Sequence, residues 1–148
     1  MTGNQLKLLL AEDDPDDRFF FQEILNDISL PTELTAVQNG EELISLLEKN
    51  PAKNYNVLFL DLNMPRKNGF EVLSEMEENE DLKDLPVIIL STSNPVGNID
   101  LLYSKGVKYY IQKPIDIVLY RKAIKQALEY IDQKKLEQPP KDKFIIPH

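Results

Sequence analysis

Acidic, hydroxyl and basic side chains follow four short apolar runs of the sequence. Glu12 and Asp13 follow the first run and Asp61 the second, while Ser91 and Lys113 follow the third and fourth. Three carboxylates gathered in one place repel one another, and a hard divalent cation relieves that repulsion. A cation, an ammonium and a hydroxyl around one carboxylate supply a nucleophile and positive charge for phosphoryl oxygens. The residues therefore indicate metal-assisted phosphoryl transfer.

Each of these residues also has an ordinary structural interpretation when it is taken alone. Glu12 and Asp13 could be acids at the start of a helix, and Asp61 could cap a turn. Ser91 could be a polar residue that ends a strand, and Lys113 could be a solvated charge. Only their joint arrangement favours a functional site.

The nature of the metal follows from the ligands that the chain offers. The sequence has no cysteine and a single histidine, His148, so a zinc or copper site of the usual kind lacks ligands. Carboxylate and carbonyl oxygens suit Mg²⁺, with Mn²⁺ as the alternative.

The elements that position these residues are five predicted strands with helices between them. Continuous apolarity over four to six residues is typical of strands buried on both faces, as in a parallel sheet. The segment 34–37 is shorter and partly polar, which places it near a sheet edge. The predicted strands are Leu6–Ala11, Leu34–Val37, Val57–Leu60, Val87–Leu90 and Val107–Ile111.

Helical spacing of apolar residues separates the strands, and capping residues mark the helix starts. Asp14-Pro15 offers an N-cap followed by proline, and Asn39-Gly40 precedes the next amphipathic segment. The last helix is predicted from about Asp116 to Lys135. The pattern predicts an α/β fold, a doubly wound five-stranded parallel sheet with five helices, in which ligands bind at the carboxyl ends of the strands.

A chain of 148 residues suits one domain, predicted as residues 1–137, followed by a short C-terminal tail at 138–148. The tail is too short to form an effector domain such as a helix-turn-helix. Its apolar residues Phe144, Ile145 and Ile146 have no evident place in the core. They are expected either to support a homodimer or to form a frayed end.

The charge and the apolar runs limit the partners of the protein. The net charge is −8, with 25 acidic against 17 basic residues, which disfavours binding to nucleic acid. The apolar runs are far shorter than the roughly 20 residues that cross a bilayer. The N-terminus is polar and lacks a signal-peptide pattern. We therefore expect a cytoplasmic protein without membrane or nucleic-acid partners.

The sequence resembles the response regulator receiver domain of two-component signalling over about residues 6–135. The resemblance implies flavodoxin-like strand order 2-1-3-4-5. The residues around the ends of the first and fourth strands are similar to those of receivers that partner phytochrome-type kinases. The matching motifs are Leu10-Ala11-Glu12-Asp13-Asp14, Asp61-Leu62-Asn63-Met64-Pro65-Arg66-Lys67-Asn68-Gly69, Ser91-Thr92 and Tyr110-Ile111-Gln112-Lys113-Pro114.

The resemblance also implies a role for each matching residue. Asp61 is the phosphoacceptor, and Ser91 and Lys113 contact the phosphoryl group. Tyr110 is expected to act with Ser91 as a switch, with a role in packing alone as the alternative. A cis peptide bond is expected before Pro114. The metal ligands are Glu12 (through water), Asp13, Asp61 and the backbone carbonyl of Asn63.

The function implied is that of a single-domain response regulator, a phosphoacceptor rather than an enzyme, that assists its own phosphorylation and dephosphorylation. Its partners would be a sensor histidine kinase and either a downstream protein target or a histidine phosphotransfer protein. Two alternatives are an aspartate-based phosphatase, whose motif needs a second aspartate where Asn63 stands, and an unphosphorylated scaffold receiver. A flavodoxin-type nucleotide site is disfavoured because Glu12 and Asp13 would repel phosphate.

Overall fold

The computed structural model describes residues 5–93, 95–113, 116–133 and 137–147. Strands and helices alternate along these described segments, as predicted, and three short 3-10 turns lie between them there. Among the described residues, no helix is both long and apolar enough to cross a bilayer. The strands are β1 Leu6–Ala11, β2 Thr32–Val37, β3 Val57–Asp61, β4 Val87–Ser91, β5 Tyr109–Gln112 and β6 Ile145–Ile146, and the helices are α1 Pro15–Asp27, α2 Gly40–Lys49, α3 Gly69–Glu77, α4 Ile99–Ser104 and α5 Ile117–Asp132.

The sheet is parallel throughout, and its strand order is β2-β1-β3-β4-β5-β6. This order contains the predicted 2-1-3-4-5 arrangement, so the predicted fold class is confirmed. Strand β2 lies at one edge, as its polar sequence indicated. The predicted number of strands was wrong by one, because β6 extends the sheet beyond β5.

Two apolar cores account for the continuous apolar runs. On β1, Leu9 and Ala11 face a core shared with α2, α3 and α4, whereas Leu8 and Leu10 face a core shared with α1 and α5. Successive residues of a strand point to opposite faces, so a strand covered on both sides must be apolar at every position.

The helix starts agree with the predicted caps. The Asp14 side chain accepts hydrogen bonds from the backbone N–H groups of Asp16 and Asp17, and Pro15 opens α1. Asn39 accepts from the N–H of Glu42 at the start of α2. Helix α5 begins at Ile117 with Asp116 as its N-cap. Its predicted end at Lys135, like the peptide bond before Pro114, lies outside the described residues.

The C-terminal tail differs from its expectation, because its apolar residues are part of the core. Phe144 is fully buried, and its ring packs edge-on against Tyr103 with the ring centres 5.4 Å apart. Ile146 is also buried, and the Tyr110 N–H donates to the Phe144 carbonyl over 3.0 Å. The expectation that these residues lack a core position was wrong, because the chain returns after α5 to the open edge of β5.

Gly69 holds the start of α3 tightly against the end of β3. A Cβ atom at this position would lie 2.7 Å from the Asp61 carbonyl oxygen and 2.8 Å from the Leu62 Cα. The Gly69 N–H also donates to the Leu62 carbonyl over 3.0 Å. Only a residue without a side chain allows this approach.

We therefore expect Gly69→Ala to lower the free energy of unfolding by about 1–3 kcal/mol, because backbone atoms must move to admit the methyl group. Urea unfolding measures the change. Gly97→Ala is the matched control, because a Cβ atom there meets nothing within 4 Å. Equal losses in the two variants would contradict the close approach at Gly69.

Candidate functional site

The ends of four parallel strands carry the predicted site residues to one edge of the sheet. Glu12 directly follows β1, Asp61 ends β3, Ser91 ends β4 and Lys113 follows β5. All four are buried, although they are polar or charged. Asp13, next to Glu12, is exposed. Buried charges are rare without a partner or a bound ion, so this edge of the sheet is the candidate functional site.

Three carboxylates form a group that fits a metal ion. One oxygen from each of Glu12, Asp13 and Asp61 lies within 4.8 Å of the other two. The group offers only oxygen ligands, which suit Mg²⁺ or Mn²⁺ and not the nitrogen and sulfur preferences of zinc or copper. The structure thus brings together the three predicted carboxylate ligands.

Lys113 reaches into this acidic group. Its ammonium contacts the Glu12 carboxylate closely and lies 3.3 Å from Oδ2 of Asp61 and 3.2 Å from Oδ2 of Asp17. Burial alone would lower the pKa of Lys113, but the hydrogen bond to Glu12 and the charges of all three acids raise it above its ordinary value. Lys113 is therefore positively charged at neutral pH.

Glu12 is the most deeply buried acid of the site. Burial raises the pKa of Glu12 to about 7, and the negative charge of Asp61 acts in the same direction. The contact with Lys113 and the N–H of Asp14 oppose this rise by stabilising the carboxylate. Ionisation of both Glu12 and Asp61 would give the site more buried negative charge than one ammonium neutralises, and a bound cation would offset the rest and favour the ionised form of Glu12.

Ser91 and Tyr110 are linked through the loop that follows β4. The Ser91 Oγ accepts from the Ser93 N–H over 3.1 Å, and the Tyr110 hydroxyl donates to the Ser93 carbonyl over 2.9 Å. The Lys113 N–H donates to the Ser91 carbonyl over 2.7 Å. Tyr110 is fully buried, and this burial raises its pKa, so the hydroxyl remains a donor. A displacement of Ser91 would thus move Ser93 and change the hydrogen bond of the Tyr110 hydroxyl.

Asn63 lies in the loop after Asp61, as the motif predicts. Its backbone N–H donates to Oδ1 of Asp61 over 3.1 Å and so orients the carboxylate. Arg66, further along the same loop, has a φ angle of 68°, which turns the chain toward α3. The ligand role of the Asn63 carbonyl stays a prediction.

The sequence analysis missed one residue of the site, Asp17. Its carboxylate contacts Lys113 from the first turn of α1. Acids are common in the first turn of helices, where they stabilise the positive end of the helix dipole, so Asp17 gave no separate signal. The available hint was that the first turn of α1 follows the end of β1 after only three residues, so its acids start close to the site.

Comparisons with known proteins agree with this geometry. The family model for the response regulator receiver domain matches residues 8–134. The chain is 34% identical over 110 residues to the response regulator Rcp1 of Synechocystis sp., an alignment that covers 72% of this chain and 75% of Rcp1. The chain therefore belongs to the response regulator receiver family of two-component signalling proteins.

Two solved structures of response regulators are similar to this chain in both fold and sequence. The crystal structure of the phosphorylated cyanobacterial phytochrome response regulator RcpA has a TM-score of 0.78 at 30% identity and covers 88% of this chain and 96% of RcpA. The Mn²⁺-bound form of Rcp1 has a TM-score of 0.74 at 30% identity and covers 91% of this chain and 99% of Rcp1. The predicted resemblance to phytochrome-associated receivers is confirmed.

Proposed function

We propose that this protein accepts a phosphoryl group on Asp61 from a phosphohistidine of a sensor kinase, in a reaction that requires Mg²⁺ or Mn²⁺. The observation that carries the proposal is the convergence of Glu12, Asp13, Asp61 and Lys113 at the carboxyl edge of the sheet. The Mn²⁺-bound form of Rcp1 supports the choice of metal.

The transfer is a substitution at phosphorus. An Asp61 carboxylate oxygen forms a bond to phosphorus, the bond from phosphorus to the imidazole nitrogen breaks, and the nitrogen keeps the electron pair and takes a proton from solvent. Lys113 and the Ser91 hydroxyl would hold the transferred oxygens by charge and hydrogen bonding. Glu12, Asp13, Asp61 and the Asn63 carbonyl would hold the cation, which when bound neutralises negative charge that otherwise repels the phosphoryl group.

The signal would leave the site through Ser91 and Tyr110. A phosphoryl group that draws the Ser91 hydroxyl toward Asp61 moves the loop whose Ser93 carbonyl accepts from Tyr110. The surface around β5 and α4 would change as a result. Hydrolysis of the acyl phosphate returns the free carboxylate, so the protein assists its own phosphorylation and dephosphorylation and transforms no separate substrate.

The proposed partners follow from this chemistry and from the relatives. The phosphodonor would be a sensor histidine kinase, and the similarity to RcpA favours a phytochrome-type kinase. The recipient of the signal would be a protein, either a direct target or a histidine phosphotransfer protein. We propose a cytoplasmic protein without nucleic-acid or membrane partners, with a homodimer as a further alternative. We propose residues 1–137 as the receiver domain and residues 138–148 as a short C-terminal tail, of which Ile145 and Ile146 pair with β5.

The test is labelling by acetyl phosphate, a small phosphodonor. With Mg²⁺ present, we expect an added mass of about 80 Da on the intact protein, placed by peptide mapping in the segment that contains Asp61. Removal of the metal with a chelator should abolish this labelling, because the uncompensated carboxylates repel the phosphodonor. Labelling that is equally fast with chelator, or turnover of a generic phosphate ester without self-labelling, would contradict the proposal.

A further inference from the structure

Lys113 has a third acidic partner that lies outside the acidic group at the strand ends. An ammonium has three N–H donors, and here carboxylates of Glu12, Asp17 and Asp61 surround it. Two of these come from strand ends, whereas Asp17 comes from the first turn of α1. The Asp17 side chain is 38% exposed, against 2% for Glu12 and 6% for Asp61. Asp17 therefore attracts the ammonium toward the solvent side of the site.

This attraction matters because a divalent cation and Lys113 need the same carboxylates. Glu12 and Asp61 belong to the group that fits a metal ion, and both also contact the ammonium. An ammonium held only by these two acids would remain between them and compete with the cation. A third acid on the solvent side favours an ammonium position that leaves the buried oxygens free.

The position of Asp17 is fixed by the local structure. Asp14 caps α1 and accepts from the Asp17 N–H over 3.4 Å, and Pro15 occupies the first turn. Arg18, the next residue, donates from its guanidinium to the Glu12 carbonyl over 2.8 Å. The start of α1 is thus tied to the end of β1, and the distance from Asp17 to the site is set by the backbone.

We infer that Asp17 is a positioning residue that offers the Lys113 ammonium a partner on the solvent side of the site when a divalent cation takes the Glu12 and Asp61 oxygens, so that the ammonium can meet the phosphoryl group. This inference rests on the proposed function. In this role Asp17 acts only through Lys113 and contacts neither the cation nor the phosphoryl group.

The test is a double-mutant cycle read by Mn²⁺ affinity, measured by calorimetry. Asp17→Asn should weaken Mn²⁺ binding about two- to fivefold more than Asp16→Asn, because the freed ammonium competes for the metal ligands. Asp16 is the matched control, since it carries the same charge in the same turn and is exposed. In a Lys113→Met background, the effect of Asp17→Asn should fall to that of Asp16→Asn.

Two outcomes would overturn the inference. If Asp17→Asn weakens Mn²⁺ binding as much in the Lys113→Met background as in the wild type, Asp17 acts directly on the cation. No loss beyond that of Asp16→Asn would mean that the contact with Lys113 has no role. Thermal unfolding of each variant shows whether it is folded, and the neutral Lys113→Gln replaces Lys113→Met in the cycle if the latter does not fold.

A second measurement uses the metal-free protein and is independent of phosphorylation. In protein with ¹⁵N-labelled lysine, the ammonium signal of Lys113 is assigned by its loss in the Lys113 variant. The signal should shift in Asp17→Asn and stay in place in Asp16→Asn, and an unchanged signal in both would refute the positioning role. If wild type is not labelled by acetyl phosphate, the proposed function fails, whereas the cycle and the lysine signal still decide the role of Asp17.

Discussion

Asp61→Asn is expected to take up no phosphoryl group from acetyl phosphate under conditions in which the wild type is fully labelled. The amide of asparagine lacks the carboxylate oxygen that bonds to phosphorus, and we expect the rate to fall at least about a hundredfold. Intact mass after a fixed incubation with Mg²⁺ measures the difference.

The control for this experiment is Asp84→Asn, which removes one acid from an exposed position away from the strand ends. It should be labelled like the wild type. Asparagine has nearly the shape of aspartate, so Asp61→Asn should unfold cooperatively, and urea unfolding of both variants verifies this. Labelling of folded Asp61→Asn at the rate of the wild type would show that another residue is the acceptor.

Phe144→Ala is expected to lower the free energy of unfolding by about 2–4 kcal/mol, the range for removal of a buried aromatic ring from a segment near a chain end. Phe144 has no exposed surface, and its ring packs against Tyr103. Removal of the ring leaves a cavity in the apolar core to which Phe144 and Tyr110 both belong. Urea denaturation of the full chain measures the change.

Phe19→Ala is the matched control, because it removes the same ring from a side chain that is 62% exposed on α1. Its effect should stay within about 0.5 kcal/mol. If Phe144→Ala costs no more than Phe19→Ala, the tail does not pack on the sheet in solution, and β6 is not a stable part of the fold.

The central strands were predictable from the sequence because most of them are apolar at every position over four to six residues, a pattern typical of strands buried on both faces. Strand β6 was not predictable, because it has two residues and follows a Pro-Pro step. A strand this short has no periodicity, and its place depends on an open sheet edge that exists only after β5 and α5 have packed. Long-range placement of this kind is not encoded locally.

The candidate site was predictable to a similar degree. Glu12, Asp61, Ser91 and Lys113 all stand at strand ends, so the rule that such ends meet at one edge was sufficient to group them. Asp17 was not predictable in the same way, because it lies on a helix and reaches Lys113 through the particular angle between α1 and the sheet. Angles between packed elements depend on side-chain packing across the whole core.

The return of the chain to β5 has a further consequence for the behaviour of the protein in storage and purification. Strand β5 carries buried apolar residues on both faces, and its Tyr110 N–H donates a hydrogen bond to the Phe144 carbonyl. A protease that cut off residues 144–146 would expose these main-chain groups as an unpaired apolar edge, onto which strands of other molecules can add. Residues 144–146 on β5 therefore protect the molecule from edge-to-edge aggregation.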